Sequence, residues 1–198
     1  MDDQGRPGQD PAEAERVGTV RRLLARELRE LGDGPGAAVR LLVLGAGDGG
    51  DVLPVLAGSP ATVRATLVEP DPDLAAAARS TARDLGLDVD VRCADPGTTD
   101  AYLRVLPVAV LLLDGVLDDL AEADLAGAVA ALPGLLDLEA LVLSTSGGGS
   151  HDPVPAVREA LLDGPFDELA DAGPRVGAHR FSGDPEPAEP GLRLVDPL

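Results

Sequence analysis

The stretch Val39-Arg40-Leu41-Leu42-Val43-Leu44-Gly45-Ala46-Gly47-Asp48-Gly49-Gly50 decides how the rest of the chain is read. A short run of valine and leucine suits a strand buried on both faces. The glycines that end it permit positive φ and let a ligand come close to the backbone. Residues 51–57 then read as a short helix, whose free amides point back at whatever the loop holds.

Outward from this stretch the same rhythm repeats. Residues 61–69 read as a second strand. Residues 71–85 form the clearest helix, with Asp71 as cap and Pro72 at the first helical position. Leu74, Ala78, Ala82 and Leu85 make its stripe, and Gly86 stops it. Residues 89–94, 108–113 and 140–144 are the next strands, and 122–131 and 153–162 the next helices. Residues 176–181 give a sixth strand at an edge and 192–195 a last short one. Upstream, residues 1–9 form a loose tail and residues 10–198 a single domain. Asp10-Pro11-Ala12-Glu13 reads as a helix start, with Glu13 reaching back to a free amide. Val17, Val20, Leu24, Leu28 and Leu31 follow as one apolar stripe, stopped by Gly32 and Gly34-Pro35-Gly36. Strands alternating with helices predict an α/β fold: a doubly wound, mostly parallel sheet with helices on both faces, plus an N-terminal helix.

Composition bounds the partners. The 198 residues suit one ordinary domain, and 44% hydrophobic residues can build a core. Only 2% are aromatic, which removes the means to stack bases along a single strand. Sixteen cations against 35 acids give a net charge of −19, which repels nucleic acid and anionic membrane. All the cations are arginine, and lysine, isoleucine and asparagine are absent. A GC-rich genome accounts for this pattern; salt adaptation through an acidic surface is the alternative. The single cysteine, Cys93, excludes an intrachain disulfide and a multi-cysteine metal site. It reads as a small core residue rather than a nucleophile. The acidic start is unlike a secretory signal, and no apolar run approaches a membrane span, so a cytoplasmic protein is expected.

In a sheet of this kind ligands sit beyond the carboxyl ends of the strands. Four loops meet there. The first is the glycine run, including Ala46. The second strand ends in Glu69, about 20 residues beyond the glycines, where an acid can accept both hydroxyls of a ribose. The third ends in Cys93-Ala94-Asp95, whose carboxylate can take a hydrogen bond from an adenine amino group. The fourth ends in Asp114-Gly115, where Asp114 faces the pocket and can hold a ligand's polar part or act as a base. Each of these acids has a plain alternative as a solvated strand-end carboxylate, and Asp71 has a structural job as a cap.

The glycine run fits two patterns at once. Gly45, Gly47 and Gly50 satisfy the dinucleotide spacing GxGxxG. Gly45, Gly47 and Gly49 satisfy the GxGxG loop of S-adenosylmethionine (SAM) enzymes. With Glu69, Ala94, Asp95 and Asp114 in this order, the chain resembles a class I SAM-dependent methyltransferase with a Rossmann-like fold. The resemblance runs over roughly residues 15–195, and it includes LVEPDPDLAAAAR after the second strand and VGAHRFSG with PAEPGLRL near the end. It implies that Gly45, Ala46, Gly47 and Gly49 wrap the methionine part of SAM, that Glu69 binds the ribose, and that Ala94 and Asp95 face the adenine. It also places the segment around Asp114 and Gly115 near the transferred methyl.

Three departures stand out. Val43 occupies the place where many members carry an acid two residues before the first glycine. The loop after the fifth strand, residues 145–150, is Ser/Gly-rich rather than basic. No aromatic residue precedes Tyr102, so an aromatic lid is lacking. The implied reaction is methyl transfer to a small-molecule acceptor, with Asp114 and His151 as candidate bases and His179 as a structural residue. The alternatives are a catalytically degenerate binding or subunit-contact protein of the same fold, and an NAD(P)-binding oxidoreductase, which Gly50 and Glu69 would serve equally well.

Overall fold

The structure, a computed structural model, describes residues 10–32, 38–118, 120–146, 154–170, 172–173 and 175–194. The tail at 1–9, His151, most of the loop after the fifth strand and residue 195 lie outside them.

Seven strands form one sheet in the order β3-β2-β1-β4-β5-β7-β6. They are β1 (Val39–Leu44), β2 (Val63–Glu69), β3 (Asp90–Cys93), β4 (Val108–Asp114), β5 (Leu136–Thr145), β6 (Phe166–Glu168) and β7 (Val176–Phe181). The pairs β3/β2, β2/β1, β1/β4 and β4/β5 are parallel. β7 runs antiparallel to both β5 and β6. The helices are α1 (Pro11–Gly32), α2 (Leu53–Gly58), α3 (Pro72–Asp84), α4 (Glu122–Ala131) and α5 (Val154–Leu162).

Two apolar layers sandwich the sheet, as the doubly wound reading requires. Val20, Leu24 and Leu28 of α1 and Leu53 and Leu56 of α2 pack with Leu41, Val43, Leu67 and Leu112 on one face. Ala128 and Val129 of α4 and Val157 and Leu161 of α5 pack with Leu42, Leu44, Leu111 and Val142 on the other. The strands alternate between these layers, so β1 and β4 are buried on both sides. The chain leaves β1 toward β2 on one side, while β4 lies on the other. The strand order reverses there, and the carboxyl ends of β1 and β4 frame the crevice between them.

Several expectations need correction. The helix stripe at 71–85 is turned. Ala75, Ala78 and Ala82 are buried, while Leu74 and Leu85 are each 43% exposed. Alanine lets α3 lie close to the sheet, and the leucines flank that contact. β5 begins at Leu136, well before residue 140, because its ladder to β4 picks up Val108 before a bulge. The strand at 176–181 is not an edge, because β6, which lies outside every element predicted from the sequence, covers it. The segment around 192–195 forms no strand among the described residues. It makes a single bridge, Thr98 to Arg193, flanked by Thr99 N–H to Leu192 O at 3.0 Å and Leu194 N–H to Gly97 O at 2.8 Å. Cys93 is exposed rather than in the core. No helix among the described residues is long and apolar enough to cross a membrane.

Candidate functional site

The loop after β1 turns on glycines in the left-handed region, two of which are also closely packed. Gly45 has φ +75°, and a Cβ there would sit 2.2 Å from the backbone oxygen of Asp114. The carboxyl end of β4 therefore presses on β1 at this point. Gly49 has φ +77°, and a Cβ would sit 2.5 Å from Leu53 at the start of α2. Gly47 differs from both. It too is left-handed, at φ +55°, yet a Cβ would meet nothing within 4 Å. The protein's own packing explains Gly45 and Gly49; at Gly47 it leaves bare backbone facing open space.

Glu69 supports this loop from below. It is 5% exposed at the end of β2. Its Oε2 accepts the Gly47 amide at 2.7 Å, and its Oε1 accepts the Asp71 amide at 2.9 Å. Both oxygens are thus held by backbone donors, and β2 and the glycine loop are clasped together. Asp71 does cap α3, accepting from the Asp73 and Leu74 amides at 2.8 and 3.1 Å. Ala94 donates its amide to Glu69 O at 3.2 Å, which brings the end of β3 alongside. Asp95 Oδ1 accepts the Gly97 amide at 2.8 Å and so shapes the turn that follows β3. Tyr102 is fully buried, and its hydroxyl donates to Pro96 O at 3.2 Å. Burial, aided by the nearby Asp95 charge, pushes the Tyr102 phenol well above its ordinary range.

The β4 side is a charge cluster. Asp114 Oδ1 accepts from the Thr145 hydroxyl, and Arg16 Nη1 lies 3.1 Å away. Arg16 comes from the first turns of α1. Its Nη2 reaches Asp51 Oδ2 at 2.8 Å and Glu13 Oε1 at 2.7 Å. The one guanidinium of Arg16, a residue only 7% exposed, therefore faces three carboxylates. Burial raises the Asp114 carboxyl above its usual value, opposed by the Thr145 hydrogen bond and the Arg16 charge. The Arg16 hydrogen bond pulls Glu13 the other way, below its usual value. Glu13 is thus turned to Arg16 rather than to the helix amides. Arg21 of α1 also donates to Gly50 O at 2.7 Å, so the N-terminal helix is fastened to the glycine loop at two points.

The predicted residues Gly45, Ala46, Gly47, Gly49, Glu69, Ala94, Asp95 and Asp114 all come to the carboxyl ends of β1–β4. His151 lies outside the described residues. His179 is buried within β7, away from this end of β4, and burial holds its imidazole below the ordinary value. The sequence reading missed Arg16, Asp51 and Thr145. One signal for Arg16 was present: it sits four residues before Val20, on the line of the buried stripe, where a charge must find partners.

No family model matches the sequence, and no curated protein matches it. The fold does match solved structures. A methyltransferase from Geobacter sulfurreducens superposes with a TM-score of 0.58 at 19% identity, over 89% of this chain and 92% of its own. Magnesium protoporphyrin IX methyltransferase from Synechocystis PCC 6803, with bound SAM, gives 0.61 at 14% identity, over 89% and 87%. The [4+2]-cyclase SpnF gives 0.50 at 22% identity, over 75% and 58%. The chain has the fold of the class I SAM-dependent methyltransferases.

Proposed function

We propose that this chain binds S-adenosylmethionine at the carboxyl ends of β1–β4 and transfers its methyl group to a small-molecule acceptor. The observation that carries the reading is Gly47, a left-handed glycine with open space above it, joined from below to the buried carboxylate of Glu69. A bare backbone beside a strand-end acid is the pairing that a nucleoside with a charged tail requires.

The residues divide the ligand between them. The loop at 45–50 lies against the amino-acid tail. Glu69 takes the ribose hydroxyls by exchanging its Gly47 amide for them, which makes binding and loop adjustment one event. Asp95 uses one oxygen for its own turn and keeps the other for the adenine amino group. Glu13, Asp51 and Asp114 outnumber Arg16 three to one, and the excess negative charge complements a ligand that carries ammonium and sulfonium groups.

The cofactor supplies an activated methyl on a positively charged sulfur. With Gly45, Gly47 and Gly49 against its tail and Glu69 and Asp95 on its nucleoside, the bound group would present that methyl to an acceptor near Asp114, and the sulfur would leave as a neutral thioether. The leaving group needs no proton, so positioning does most of the work, on the order of 7–11 kcal/mol in favourable cases. An acceptor O–H or N–H must lose its proton, and Asp114, whose carboxyl burial raises above its usual value, is the candidate to take it.

Calorimetry with SAM, S-adenosylhomocysteine and NAD tests this. Micromolar binding of S-adenosylhomocysteine is expected. No binding at millimolar ligand overturns the reading, and binding of NAD alone replaces it with the dinucleotide one. A second reading, ligand binding without methyl transfer, is favoured by the engagement of Asp114 with Arg16 and Thr145. Tight S-adenosylhomocysteine binding with no transfer of labelled methyl to any of a panel of phenols, amines and carboxylic acids would select it.

A further inference from the structure

At the opposite end of the sheet, under the amino ends of β1, β2, β4 and β5, lies a cavity of about 460 Å³. Its charged lining is Arg40, Arg64 and Asp137, and its apolar lining includes Leu31, Val39 and Ala109. We propose that this cavity is a binding site for a small oxyanion, a phosphate or carboxylate carried on an apolar body.

Three observations converge on it. Arg40 and Arg64 are register partners in the parallel ladder of β1 and β2, so both side chains leave the same side of the sheet. Their strands are about 4.8 Å apart, so two arginine stems rise next to one another at the amino end of the sheet. The second observation is a shortage of partners. This chain has 35 acids for 16 arginines, and its engaged arginines hold carboxylates tightly: Arg16 at 2.7 Å and Arg180 at 2.6 Å. Arg40 reaches Asp137 only at 3.4 Å, with both side chains nearly half exposed. Arg64, exposed, has no ion pair or side-chain hydrogen bond among the described residues. The third is the cavity itself, whose size lies in the range of small-ligand sites. Leu31, 39% exposed at the end of α1, offers it an apolar wall.

Arg40 and Arg64 line one cavity from neighbouring strands, and guanidinium forks match the planar or tetrahedral oxygens of a carboxylate or phosphate. Asp137 acts here as a weak internal competitor for Arg40.

The site stands apart from the glycine loop, because Val39 and Val63 begin the strands that Leu44 and Glu69 end. Phenyl phosphate and benzoate are the probes, with the full chain followed by calorimetry at low ionic strength. Saturable binding of at least one probe is expected, and which of the two binds more tightly separates phosphate from carboxylate. Arg64→Gln, at an exposed position, should weaken it by about tenfold or more, as should Arg40→Gln. Asp137→Asn should tighten it by removing the competitor. Added salt should weaken it, since the forks are open to solvent. No saturable binding of either probe at millimolar concentration overturns the proposal, as does binding that Arg64→Gln leaves unchanged. S-adenosylhomocysteine binding is measured on the same samples and should be indifferent to all three substitutions.

Discussion

Glu69 and Asp114 look alike in the sequence, each an acid at the end of an apolar strand, and the fold treats them in opposite ways. Glu69 is held by two backbone amides, from Gly47 and Asp71, and has no ion pair among the described residues. Asp114 is held by a hydroxyl on the next strand and by a guanidinium 98 residues away in sequence. The first arrangement is made by neighbouring turns. The second exists only because α1 folds back over the sheet. An acid's position in a strand tells where it goes, and its partners decide what it can do there.

Four experiments press on that contrast. The largest effect belongs to Gly45→Ala. Its Cβ would run into the Asp114 backbone oxygen in a left-handed residue, and neither strand end can retreat from the core. A loss of about 3 kcal/mol or more is expected in urea unfolding. Gly47→Ala, with open space above it, should cost only about 1–2 kcal/mol. Equal losses at the two positions would show that β4 does not press on β1 as described.

Arg16→Ala comes next. It leaves Asp114 and Asp51 facing each other without their cation, at a cost of about 2–3 kcal/mol. Adding Asp114→Asn to it should recover part of the loss. Strict additivity in that double-mutant cycle would mean the pair is not coupled.

Glu69→Gln retains one acceptor and turns an amide N–H toward a backbone donor. About 1–2 kcal/mol of stability should go with it. Binding of S-adenosylhomocysteine should weaken more than that of free methionine analogues lacking a ribose. A uniform loss for both ligands would assign Glu69 to the loop alone.

The smallest effect is one of pH. Burial raises the folded Asp114 above its ordinary value of 3.8, so the fold binds that proton more tightly than the unfolded chain does. Its contribution is therefore greatest below the unfolded value and declines as pH climbs from there through the folded one. Glu13 has the opposite sign. Its folded value lies below 4.5, so its contribution is present above that value and fades as pH falls through the folded one. Asp114→Asn should flatten the fall in stability as pH climbs above 3.8. An unchanged pH profile would show that Asp114 ionises in the fold as it does in the open chain.

Much of this was legible in the residues. The strands at 39–44 and 176–181 and the helix at 122–131 fall where their apolar patterns and flanking turn residues put them, because those signals are local. Asp71-Pro72 marked a helix start, and Asp71 caps it with two hydrogen bonds. β6 was not legible. Phe166-Asp167-Glu168 is too short to show a period, and it is a strand only because Phe181 and His179 lie opposite. The face of α3 was misread for a related reason. Alanine and leucine are both apolar, and only the distance from helix to sheet decides which of them is buried.

The sequence alone determined the order of strands and helices, and with it the end of the sheet where Gly45, Gly47, Glu69, Asp95 and Asp114 gather. Periodicity and turn chemistry act over a few residues, and the handedness of parallel crossovers does the rest. Tertiary structure alone decided how those groups are charged and engaged. Arg16 on Asp51 and Asp114, the bidentate grip of Arg180 on Glu27, and the meeting of Arg40 with Asp137 beside Arg64 all depend on segments that meet only after the sheet has formed. Electrostatic partners are chosen by distance in space, and no pattern along the chain encodes that distance.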